Sequence, residues 1–243
     1  MELAGKVALV TGAGRRLGKA IALALAGRGM KLALHYNQSA QGAEEASAEI
    51  TARGGAAVAL GADLYDPKAA RELPGRVVRH FGRLDVLVNS AGIMKPASVE
   101  ETSPALWDEV MGVNLRAGFF VTQGALAALR ATRGKVINLA DVGGLEPWPR
   151  YSAHCISKAG VVMLTRVLAR ALAPDITVNA VAPGAILPPD DWDQASLDHL
   201  ASTTPLKRLG APSDITAAIL YLLEGGDYVT GETLVVDGGR LLR

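Results

Sequence analysis

The sequence predicts an α/β fold, a doubly wound parallel sheet of about seven strands with helices on both faces. Two observations carry that expectation. Short apolar runs alternate with longer helix-patterned segments from one end of the chain to the other, and parallel strands need long, right-handed crossovers between them. A glycine turn, Thr11-Gly12-Ala13-Gly14, joins the first apolar run to the first helix. Sheets of this kind bind ligands beyond the carboxyl ends of their strands.

Val7–Val10 is four apolar residues bounded by that turn, which suits a strand covered on both faces. A helix begins near Arg16. Gly12 and Gly14 permit close approach that a side chain would forbid, and Gly18 lets the helix lie against the strand. The helix N-terminus, with its free amides and dipole, makes an anion site that a dinucleotide pyrophosphate fits. Lys31–Tyr36 is the second strand, because Leu32 and Leu34 alternate with shorter or polar residues. Residues 40–53 are helical and end at Gly54-Gly55; 56–62 form the third strand, followed by Asp63-Leu64. Pro67–Phe81 is a helix that Pro74-Gly75 should bend or interrupt. Residues 84–89 make the fourth strand, and separate helices follow at Pro104–Met111 and 115–131. The fifth strand spans 135–140, a long helix 151–172, and the sixth strand 176–181. A proline- and acid-rich excursion at 183–209 is expected to form a substrate lid. A helix at 213–223 and a strand at Thr233–Val236 complete the sheet. Nothing inside reads as a linker, so residues 1–243 are expected to form one domain.

Composition removes several classes of function. Twenty-five basic residues against 24 acidic give a net charge of +1, so no electrostatic case exists for nucleic acid or anionic membrane. Cys155 is the only cysteine, which forbids an intrachain disulfide and suits a reducing cytoplasm. The first strand starts within a few residues of Met1, leaving no room for a signal peptide, and no 18-residue apolar run suggests a membrane span. His35, His80 and His199 lie far apart without metal-ligand spacing, so no metal site is expected.

The residues at the strand ends resemble the short-chain dehydrogenase/reductase family, from the first strand to Arg243. Thr11-Gly12-Ala13-Gly14-Arg15-Arg16-Leu17-Gly18 is similar to its cofactor loop, and Asn89-Ser90-Ala91-Gly92 to its motif after the fourth strand. Asn114 and Pro183-Gly184 stand where the family expects them, and residues 228–239 resemble its C-terminal signature. Within the family, Arg16, the run His35-Tyr36-Asn37-Gln38-Ser39-Ala40 and Asp141 resemble the pteridine reductases. The resemblance implies a Rossmann-like fold, a cytoplasmic homotetramer and a nicotinamide dinucleotide. The dinucleotide would be held by Gly12, Arg15, Arg16, Leu17, Gly18, Tyr36, Asn37, Ser39, Asp63, Leu64, Asn89, Ala91, Gly92, Lys158, Pro183, Gly184 and Ile186. It also places Arg243 near a neighbouring subunit's active site.

Cofactor choice follows from charge. NAD sites usually carry an acid about 20 residues past the glycines; here the second strand ends in His35-Tyr36-Asn37-Gln38-Ser39, and the next acid is Glu44. Arg15 and Arg16 lie in the loop facing that ribose, and guanidinium forks suit a 2′-phosphate. NADP(H) is therefore expected. Asp63 is either a partner for adenine, as the resemblance implies, or a helix cap ahead of Pro67.

The catalytic stretch departs from the family. Its pattern sets a tyrosine four residues before a lysine and a serine 13 before the tyrosine; here Lys158 is preceded by His154 and Asp141. Tyr151 is seven residues from Lys158, about 10 Å along a helix against about 6 Å for a four-residue step, so it cannot replace the tyrosine. His154 and Lys158 share a helix face. A neutral imidazole beside a lysine is a poor acid, and a carboxylate at Asp141 favours the protonated form. Asp141, His154 and Lys158, with Asn114 behind them as in the family, are thus expected as a proton-delivery set. They would serve an NADPH-dependent reductase acting on a small carbonyl or heteroaromatic substrate, such as a pterin. The alternative is an NADP-binding protein that lost its tyrosine and its activity and serves as a sensor or structural partner. Trp148, Pro149 and Trp192 either wall a planar substrate or pack the loops, and Cys155 reads as a buried small hydrophobe.

Overall fold

In a computed structural model, described for residues 1–188 and 192–242, the strands form one parallel sheet in the order β3-β2-β1-β4-β5-β6-β7. They are β1 (Val7–Val10), β2 (Lys31–Tyr36), β3 (Ala57–Gly61), β4 (Val86–Asn89), β5 (Lys135–Leu139), β6 (Thr177–Pro183) and β7 (Thr233–Val236). The chain builds outward from β1 to β3, then returns to lay β4 on the other side of β1. That reversal opens a crevice above the ends of β1 and β4, where the strand order switches.

Alternation along the strands fills both faces. Ala8 and Val10 of β1 point to a core shared with α1 (Arg16–Ala26), α2 (Ala40–Ala52) and α8 (Pro212–Glu224). Val7 and Leu9 point to the opposite core, shared with α3 (Pro67–Phe81), α5 (Ala117–Thr132) and α6 (Ser152–Leu172). Strands with both faces covered must be apolar throughout, which is why β1 reads as an unbroken run.

Three elements differ from expectation. The helix α3 runs unbroken through Pro74. Proline there removes one amide donor, and the loss is offset because the buried face, with Ala70, Leu73, Pro74 and Val77, packs on α5. A Cβ on Gly124 of α5 would lie 2.1 Å from the Arg71 carbonyl of α3, so the two backbones approach closely. The helices around 104–131 are not separate either. The helix α4 (Pro104–Met111) continues through a π-helical turn, Gly112–Arg116, into α5. The stretch at 183–209 holds α7 (Gln194–Thr203); residues 189–191 of it, and Arg243, lie outside the described residues. Among the described residues no helix is long and apolar enough to cross a membrane.

Candidate active site

The glycine turn is built for close contact. Gly12 has φ +68°, and a Cβ on it would lie 2.9 Å from the Ala91 Cα. On Gly18 a Cβ would meet the Gly12 carbonyl at 2.2 Å, and on Gly14 the Ser39 Oγ at 2.2 Å. A Cβ on Gly42, in the first turn of α2, would lie 2.0 Å from the Gly14 carbonyl. No side chain caps the N-terminus of α1, and its first turn holds no acid, so the dipole faces the crevice uncompensated. These residues fit a dinucleotide pyrophosphate. Thr11 Oγ1 accepts the amides of Ser90 (2.9 Å) and Ala91 (3.0 Å), tying the turn to the loop after β4.

Around the expected ribose site, Tyr36 lies across Gly61, and Asn37 Nδ2 donates to Asp63 Oδ1 at 3.4 Å. Asp63 does not cap α3. It accepts the Tyr65 amide, while Asp66 is the cap and accepts the Lys68 amide at 2.9 Å. Arg15 and Arg16 are exposed. The Arg16 guanidinium donates to the carbonyls of Leu187 and Pro188, a contact with the segment after β6 that spacing alone did not foresee. Leu64 and Ile186 are buried in the two cores, and Leu17 packs against one of them. Pro183 ends β6, and Gly184 sits against Asp237, where a Cβ would lie 2.7 Å from its Cα.

Four helix and strand ends meet at the other side of the crevice. The π turn presents Asn114, which pins Ile93: Oδ1 accepts the Ile93 amide (2.8 Å) and Nδ2 donates to the Ile93 carbonyl (2.9 Å). Nδ2 also donates to Ser157 Oγ at 3.0 Å, so both of its hydrogens are used. A Cβ on Gly92 would lie 3.4 Å from Asn114 Oδ1 and 3.8 Å from Lys158 Nζ. Lys158 is buried and donates to the Leu139 carbonyl at 2.7 Å. Burial pushes its ammonium pKa down, and the charge of Asp141 opposes that shift.

Asp141 caps a short 3₁₀ turn, Val142–Gly144, accepting the Gly143 amide at 2.7 Å. That turn lies on α6 because Gly144 has no side chain; a Cβ there would sit 2.7 Å from the Lys158 carbonyl carbon. The consequence is a meeting of His154 and Asp141, with Nε2 3.8 Å from Oδ1. His154 Nδ1 lies 3.4 Å from the Ile93 carbonyl, and its 3.5 Å approach to Asn114 Nδ2 gains no third amide hydrogen. A proton on Nδ1 therefore donates to Ile93. Nε2 is buried and has no hydrogen-bond partner among the described residues. Trp148 stacks parallel to the imidazole at 6.2 Å between ring centres, and Tyr151 meets the same indole edge-on. Tyr151 is the N-cap residue of α6, before the face that carries His154 and Lys158. Cys155 is only half-buried, a correction to the core role expected of it. Trp192 is exposed. Among the described residues no group of three His, Cys, Asp or Glu is placed to hold a metal.

Sequence reasoning missed a buried polar chain. Asn89 Nδ2 donates to Asn138 Oδ1 (2.9 Å) and Thr122 Oγ1 (3.1 Å), and Asn138 Nδ2 donates to Thr165 Oγ1 (2.9 Å). The available signal was Asn138 among Val136, Ile137 and Leu139 of β5, and Thr165 directly after the apolar run Val161–Leu164 of α6.

A parallel sheet with an uncapped helix and a glycine turn at its switch point defines a dinucleotide-binding α/β protein. A family model described as enoyl-(acyl carrier protein) reductase matches residues 12–240, and the chain belongs to the short-chain dehydrogenase/reductase family of NAD(P)-dependent oxidoreductases. It is 37% identical to a 3-oxoacyl-[acyl-carrier-protein] reductase of Synechocystis, over 99% of this chain and 98% of the relative. It is 36% identical to a versicolorin reductase of Emericella nidulans, over 98% and 96%. Among solved structures, a blue fluorescent protein from a metagenomic library in complex with NADPH superposes with a TM-score of 0.92 at 33% identity, over 99% of each chain.

Proposed function

We propose that the chain is an NADP(H)-dependent reductase of a small carbonyl or heteroaromatic substrate, a pterin foremost, in which His154 and Asp141 take the place of the family's tyrosine and serine. The observation that carries this reading is the buried, unpartnered His154 Nε2 facing Asp141, with Lys158 beneath. Bound NADPH supplies the hydride. The matching proton comes from His154 Nε2, which faces the Asp141 carboxylate at 3.8 Å. Lys158 and Asn114 hold the floor of the site, and Trp148 walls it.

Arg15 and Arg16, with no acid among Tyr36, Asn37, Gln38 and Ser39, support a 2′-phosphate and hence NADP over NAD. The pterin preference is supported by Arg16, the 35–40 segment and Asp141, whereas the relatives are named for oxoacyl carriers and versicolorin. We place the whole chain in the cytoplasm as one catalytic domain. Ile156, Met163 and Val167 form an exposed apolar stripe on α6. That stripe supports pairing with a second copy in a homotetramer.

Turnover of NADPH against a panel of pterins, quinones, diketones and a 3-oxoacyl thioester tests the proposal. Reduction of a pterin is the expected result. Intact NADP binding without turnover of any class would instead identify a binding protein.

A further inference from the structure

His35 lies outside the catalytic set, near the end of β2, and only 2% of it is exposed. Its ring spans the ends of three strands. On one edge Nδ1 accepts the Gly12 amide at 3.1 Å; on the other Nε2 lies 3.0 Å from the Ala62 carbonyl. A carbonyl only accepts and an amide only donates, so the ring carries its proton on Nε2 and has a bare Nδ1. The His35 backbone carbonyl accepts the next amide of the turn, Ala13, at 2.8 Å. Two successive amides of the glycine turn are thus held by one residue of the neighbouring strand.

A doubly protonated ring would aim an N–H at the Gly12 N–H. The surroundings prevent that. Burial is the main cause that lowers the His35 pKa to about 4, and the Arg76 guanidinium, which donates to the Gly61 carbonyl, pushes the same way. Asp63 opposes the shift without overcoming it. The turn has no slack to adjust, given the 2.9 Å approach that a Gly12 Cβ would make to Ala91.

We propose that His35 is a positioning residue for the dinucleotide: a neutral, single-tautomer acceptor that fixes the Gly12 amide and so presets the turn that receives the pyrophosphate. This rests on the reading of that turn as the NADP site. Its effect falls on cofactor binding, because the groups its ring holds, Gly12 and Ala62, lie on the dinucleotide side of the crevice.

The test compares wild-type protein with His35→Asn, whose Oδ1 can replace Nδ1 as acceptor, and His35→Leu, which has none. Dissociation constants for NADP⁺ come from calorimetry, and the ring tautomer from nitrogen-15 NMR of the unliganded wild-type protein at pH 7. We expect His35→Leu to weaken NADP⁺ by about ten-fold or more, the scale of one lost buried hydrogen bond. It should leave kcat at saturating NADPH within about two-fold of wild type. His35→Asn should recover most of the affinity, and the spectrum should show an unprotonated Nδ1. Equal affinity of wild type and His35→Leu, no recovery in His35→Asn, or a protonated Nδ1 would each overturn the proposal, and the NMR result decides even if His35→Leu fails to fold. A wild-type protein without affinity for NADP⁺ would overturn the cofactor reading and this proposal together.

Discussion

His154 Nε2 stands 3.8 Å from Asp141 Oδ1, buried and without a hydrogen-bond partner among the described residues. Two acceptors face one another there when the ring is neutral, and an ion pair forms when it is protonated. That pair stands where the proposed reduction would need a proton.

If the proposed proton transfer runs through this pair, His154→Ala should lower kcat by about 100-fold or more. Asp141→Asn, which removes the carboxylate facing Nε2, should lower kcat as well. Initial rates of both variants check this; a His154→Ala rate equal to wild type would exclude the residue from proton transfer.

Restoring the family pattern with His154→Tyr should reduce activity. A longer phenol crowds the space between Trp148 and Asp141 and cannot pair with the carboxylate as an imidazolium does. Steady-state kinetics of the variant check this, and a gain in rate would mark the wild-type histidine as a lost donor.

The proposed preference for NADP(H) rests on Arg15 and Arg16. NADPH should bind about ten-fold or more tightly than NADH, about 1.4 kcal/mol. Arg16→Ala should erase most of the difference in fluorescence titrations.

Assembly should depend on the apolar stripe of α6. Met163 and Val167 are 56% and 54% exposed, one turn apart on the same face. Light scattering should report a tetramer at micromolar concentration, and Val167→Glu should reduce its mass.

His35 also makes stability depend on pH. Its pKa is about 4 in the fold against 6.5 ordinarily, so the unfolded chain takes up the proton first as pH falls. Its contribution is complete above about pH 6.5 and declines from there to about pH 4, by about 3 kcal/mol in all. Urea unfolding of wild type against His35→Asn, at pH 7 and 4.5, should show the smaller loss in the variant.

Much of this was legible in the sequence because local chemistry dictated it. Val7–Val10, the glycine turn and the 21-residue α6 each carry a pattern that only one local structure satisfies. Pro74 misled because its cost is local while the contact with α5 that offsets it is distant in sequence. The roles of His35 and Asn138 depend on partners 23 and 49 residues away, and no spacing rule links such pairs. Asp141 and His154 could be placed together only through the resemblance, since the 3₁₀ turn that joins them is set by packing on α6.

The π turn at Gly112–Arg116 also divides one rod into two phases. Its extra residue rotates everything downstream by about 100° relative to a regular helix. The α4 half can thus lie on α6 while the α5 half lies on α3, without a break in the chain between them. Removing one residue from the turn would bring the halves into step. The rod would stay helical, yet one of its two packing faces would turn away from its neighbour, and Asn114 would leave the loop that it now holds.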